Sequence, residues 1–87
     1  MVITGDTTQW LGHLRGAPLP VLLLLYRGGR LGQMQIARAT GMKLQTVREA
    51  LHVLEMHGLA MALRGDRWLI TQQGDALVAQ LQRRRGR

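Results

Sequence analysis

The chain has no cysteine, no serine, no asparagine and no phenylalanine, and its aromatic residues make up only 3%. Without cysteine there is no disulfide framework, no thiolate nucleophile and no thiolate-held zinc, and an intracellular, cytoplasmic protein is the default expectation. The aromatic set is Trp10, Tyr26 and Trp68. Three rings are too few for a platform that stacks successive unpaired bases. The longest apolar run, Val21 to Tyr26, is far short of the roughly 20 residues that span a bilayer, and no secretory signal pattern precedes it. Acidic residues are scarce as well: Asp6, Glu49, Glu55, Asp66 and Asp75 include no convincing general acid/base pair. His13, His52 and His57 make no metal motif, because His52 and His57 are five residues apart and point to different helix faces. Neither an enzyme nor a metal or cofactor site is expected. Gly28-Gly29-Arg30-Leu31-Gly32 lacks the Gly-Lys-Ser/Thr ending of a phosphate loop and reads as a link between helices.

What is present is positive charge. Twelve Lys plus Arg stand against five Asp plus Glu, a net charge of +7 over 87 residues, and Arg83, Arg84, Arg85 and Arg87 carry four of those cations. The length suits one small domain, and 46% hydrophobic residues suffice for a core. Duplex nucleic acid fits this balance better than single strands.

The pattern divides the chain into a segment over 1–17, a folded domain over 18–82 and a basic tail over 83–87. Asp6 or Thr7 is placed to cap a short helix with Trp10, Leu11 and Leu14 as apolar positions. Pro18 and Pro20 suit a first turn, so Leu19 to Tyr26 reads as a central helix, apolar nearly all round and closed by Gly28 and Gly29. A second helix is expected from Gly32 or Gln33 to Ala39, with Met34, Ile36 and Ala37 as its apolar positions. Thr40-Gly41-Met42 breaks it. Val47, Ala50, Leu51 and Leu54 then form a helical stripe that ends at His57-Gly58. Leu59 to Leu63 and Arg67 to Ile70 flank Arg64-Gly65-Asp66 as the arms of a hairpin. Thr71 caps a last helix with Ala76, Leu77, Val78 and Leu81 as packing positions, fraying from Gln82 onward.

This order of elements is that of a winged helix-turn-helix domain, and Gln33 to Val47 resembles the helix-turn-helix of MarR-like and ArsR-like bacterial transcription regulators. The resemblance rests on Ile36-Ala37, Thr40-Gly41 and Thr46-Val47, then Leu54-Glu55-Met56-His57-Gly58-Leu59, the wing over 60–70, and Thr71-Gln72-Gln73-Gly74. It covers about residues 19 to 81. It implies a mainly α (α+β) fold with a three-helix core, a hairpin wing and a C-terminal helix. The family often has Ser or Asp where this chain has Lys43, and a polar residue where it has Leu44. Ligand-sensing or metal-sensing members carry extra helices or Cys/His clusters, and their lack here implies a bare reader with no small-molecule effector.

If the helix over about 43–57 enters a major groove, Gln45, Thr46, Arg48, Glu49 and His52 face the bases, with Gln suited to adenine, Arg to guanine and Thr to the thymine methyl. The alternative is an ordinary solvated face, since Lys43 to His57 holds two cations and two anions. Arg38, Lys43, Arg64 and Arg67 are the candidate contacts to backbone or minor groove. Asp66 opposes them or forms a local turn contact. Trp10, Leu11, Leu14, Leu77 and Leu81 are the candidate contacts of a homodimer. The terminal arginines add sequence-independent affinity for DNA or form a solvated tail. The function expected is a sequence-specific, nucleoid-associated DNA-binding regulator, a repressor in the first instance. The alternatives are a winged-helix protein-interaction module using Leu44, Val53, Met56 and Met61, and a nonspecific architectural binder.

Overall fold

The computed structural model describes residues 14–85, with side chains through Arg83. The expected N-terminal helix, with Trp10 and Leu11, and the final Arg87 lie outside the described residues. Among the described residues, four helices and three strands are bounded in the order α1 (Pro18–Gly28), β1 (Leu31–Gly32), α2 (Gln33–Thr40), α3 (Leu44–Met56), β2 (Ala60–Leu63), β3 (Arg67–Ile70) and α4 (Gln72–Arg85).

Helix α1 is the hub of the domain. Its two prolines lie in the first turn, where backbone N–H groups have no helical acceptor to lose. Val21, Leu22 and Leu25 are fully buried, and the helix packs against α2, α3, β3 and α4. Gly29, at φ +78°, turns the chain out of the helix while its N–H donates to the Leu25 carbonyl. Leu14, Ile36, Val47, Leu51, Leu54, Leu59 and Val78 complete the core, with Tyr26 and Trp68 packed at its edge.

The turn between α2 and α3 is built as the glycine spacing suggested. Gly41 takes φ +76°, ψ +9°, and Thr40 Oγ1 donates to the Ile36 carbonyl at 2.7 Å while accepting the Met42 N–H. Lys43 supplies no side-chain cap to α3; its carbonyl accepts the Val47 N–H at 3.0 Å and closes the first turn. At the far end, the His57 ring donates from Nδ1 to the Val53 carbonyl at 2.9 Å.

One detail differs from the sequence expectation at the sheet. The hairpin arms pair as expected, Ala60 with Ile70 through Leu63 with Arg67, but a third strand, β1, joins on the other side of β3 to give the order β1-β3-β2. Leu31 pairs with Trp68 and Gly32 with Arg67. Two residues are too few to show a period of two, so the strand is invisible to pattern reading.

Helix α4 also departs from expectation, continuing through Arg85 rather than fraying from Gln82. Its last turns are Gln and Arg, good helix formers, and arginine is favoured at the negative end of the helix dipole. Ala76 is exposed rather than packed; Leu77 and Val78 carry the contact. The Thr71 cap forms, with its Oγ1 accepting the Gly74 N–H at 3.0 Å and donating to the Gly58 carbonyl at 2.7 Å.

Candidate functional site

Helix α3 buries Val47, Ala50, Leu51 and Leu54 against the core, so the 100° step per residue turns Gln45, Glu49, His52 and Met56 to the opposite side, with Arg48 at its flank. Gln45, Arg48, Glu49 and His52 are exposed, whereas Leu44 and Thr46 are half-buried at the border of the packed stripe. Gln45 Nε2 donates to Glu49 Oε2 at 3.2 Å, one turn along, so these two side chains stand together on the outward face.

The first turn of α2 lies against both α3 and the wing. Arg48 Nε donates to Gln33 Oε1 at 3.1 Å across the helix pair. Two residues on, Gln35 Oε1 accepts the Gly32 N–H at 2.8 Å, which caps α2, and Arg67 Nη1 at 3.1 Å. Arg67 reaches that oxygen because its partner across the sheet is Gly32, which puts no side chain in the way. The strands also approach closely here: a Cβ on Gly32 would lie 3.2 Å from the Asp66 carbonyl oxygen. Arg48 and Arg67, distant in sequence, are thereby tied to one turn of helix.

The remaining cations are more dispersed. Lys43 is exposed at the start of α3, and Arg38 is exposed on α2 one turn beyond Met34. Arg64 is exposed at the wing tip, in a three-residue loop where Gly65 (φ +73°) and Asp66 (φ +60°) both take left-handed backbone. Asp66 is the one non-glycine residue with positive φ among the described residues. Apolar side chains are exposed as well: Met34 at 54%, Met56 at 68% and Met61 at 45%.

Of the five expected dimer contacts, Leu14 and Leu77 are buried in the chain's own core, and Leu81 is half-buried beside it. Trp10 and Leu11 lie outside the described residues. No helix among the described residues is long and apolar enough to cross a membrane. None of the described His, Asp or Glu residues gather in a group of three or more able to hold a metal ion.

Sequence reasoning named both arginines but missed Gln33 and Gln35, the residues that hold them. Gly32 and Gln35 have the three-residue spacing of a helix start whose side chain reaches back to the cap, a signal that was readable. Gln33 and Arg48 are 15 positions apart, and only the crossing of α2 and α3 brings them together.

No family model and no curated protein matches the chain. Solved structures do. A MarR family regulator from Neisseria meningitidis superimposes with a TM-score of 0.71 at 23% identity, over 90% of this chain. This chain spans 61% of that one, and at such identity the likeness concerns the fold: helices and three-stranded antiparallel sheet follow the winged-helix arrangement. A fragment, residues 1–100, of a protein from Mycobacterium bovis described as a "possible transcriptional regulatory protein" matches with a TM-score of 0.71 at 33% identity, over 94% of each chain. The chain thus belongs to the same family as this M. bovis regulatory protein and has the winged helix-turn-helix fold of MarR regulators.

Proposed function

We propose that the chain is a sequence-reading duplex-DNA-binding transcriptional regulator that works as a homodimer and acts by repression. The observation that carries this reading is that Arg48 of α3 and Arg67 of the wing each bond a glutamine in the first turn of α2, Gln33 and Gln35. A groove-entering helix needs a polar outward face and a wing with cations beside it, and Gln45, Arg48 and His52 with Arg64 and Arg67 supply both. Arg48 and Gln45 are the base readers, with Thr46, Glu49 and His52 around them. Arg38, Lys43, Arg64 and Arg67 contact phosphates or the minor groove. Leu81 is the candidate contact to a second copy among the described residues, and the symmetry of such a pair would match a twofold operator.

The test is a fluorescence-anisotropy titration against duplex from the gene's own upstream region and a scrambled duplex, at two salt concentrations. Preference for the upstream duplex by about tenfold, worth about 1.4 kcal/mol, and its loss in Arg48→Ala, support the reading. Absence of binding at low salt refutes it. A second reading draws on the exposed Met56 and Met61, which suit a protein partner. It gains if neither duplex binds and a partner protects these methionines.

A further inference from the structure

We infer that Gln33 and Gln35 are positioning residues that aim Arg48 and Arg67 at duplex DNA, an inference that rests on the DNA-reading function proposed above. An exposed arginine spreads over many rotamers, and ordering it on binding weakens the contact. Here each guanidinium is held in advance by one amide oxygen: Arg48 through Nε and Arg67 through Nη1, both at 3.1 Å. The acceptor's chemistry matters. A glutamate in the same place would hold the arginine but neutralise its charge, whereas the neutral amide orients the cation and leaves it positive for a phosphate or base.

The atom used matters too. Gln33 takes only the Nε of Arg48, and the two Nη groups that form the end of the fork remain to grip the O6 and N7 of a guanine side by side. Gln35 takes only Nη1 of Arg67, so Nη2 and Nε remain for a phosphate. Gln35 therefore anchors the base of the wing while Arg64 holds the tip. Both glutamines lie in a single turn of α2, so one short helix supplies the acceptors for both arginines.

A duplex selected by the wild-type chain from a randomised pool serves as the probe, with a scrambled duplex as reference. Gln33→Ala is expected to lower the preference between them by about two- to tenfold, without change in melting temperature. The same substitution in an Arg48→Ala background is expected to have no further effect, since its role passes through Arg48. Gln33→Glu keeps an acceptor for Arg48 but counters its charge, so it is expected to retain only part of the preference, while weakening affinity for both duplexes. Gln35→Ala weakens both duplexes alike. An unchanged preference in Gln33→Ala, or an equal loss with and without Arg48, overturns the inference alone. If the wild type selects no duplex, or if Arg48→Ala keeps full preference, the DNA-reading assignment falls and the inference with it.

Discussion

Replacing Gly74 by alanine should unseat the last helix, although the same change in an open helix would be favourable. Gly74 is the third residue of α4, and alanine is the better helix former there by about 1 kcal/mol. An added Cβ, however, would sit on the Leu59 carbonyl oxygen, 3.1 Å from the Leu59 carbonyl carbon and 2.8 Å from Ile70 Cγ1. Neither neighbour yields easily. The Leu59 carbonyl accepts the Thr71 N–H at 3.0 Å, and Ile70 is paired with Ala60 in the sheet. Overpacking of this kind costs about 1–3 kcal/mol. Moving α4 away also strains the Thr71 N–H bond and the Thr71 cap, at about 1 kcal/mol each. Set against the propensity gain, the net loss is about 2–4 kcal/mol, a drop of about 10–25 °C in melting temperature for a domain of this size. Calorimetry or urea denaturation measures it, with Gly28→Ala as the comparison, because the three atoms nearest a Cβ there, the closest at 2.9 Å, belong to the Leu31 side chain rather than to backbone. A Gly74→Ala variant as stable as the wild type would refute the argument for close packing between α4 and the sheet.

Other substitutions probe separate parts of the account. Thr71→Val removes a hydroxyl that both caps α4 and bonds the Gly58 carbonyl, and should cost about 1–2 kcal/mol in urea denaturation. Gly41→Ala meets no atom within 4 Å, so its expected loss of about 1 kcal/mol reports backbone strain at φ +76° alone. Leu51→Ala opens a cavity beneath α3 and should lose about 2–5 kcal/mol by the same assay. Arg64→Ala at the wing tip should weaken binding to any duplex and flatten the slope of log affinity against log salt by about 1.

The parts of this fold that were legible in the sequence are those built from local rules. The Val47, Ala50, Leu51 and Leu54 stripe, the Gly41 turn, the Arg64-Gly65-Asp66 loop and the Thr71 cap each follow from periodicity or from one residue's conformational preference, and each stands where expected. What stayed hidden depends on tertiary meetings. Strand β1 exists because β3 offers it an edge, and Leu31 gains order by lying opposite Trp68. Leu14 and Leu77, apolar residues near the two ends, looked available to a second copy, yet the core of this chain uses both. The candidate site was legible in its outward face, since helical geometry alone sets Gln45, Glu49 and His52 opposite the buried stripe. Of the glutamine anchors, Gln35 left a readable trace in its capping spacing from Gly32, whereas Gln33 left none, because its partner Arg48 arrives from another helix.

The most direct test of the central claim is amide chemical-shift mapping of the labelled chain during titration with a duplex selected from a randomised pool. The account predicts perturbations concentrated at Lys43 to His52, in the first turn of α2 and at Arg64 to Arg67, with Arg48 among the largest. Shifts confined to Val53, Met56 and Met61, or none at a salt concentration low enough to favour phosphate contacts, would contradict it.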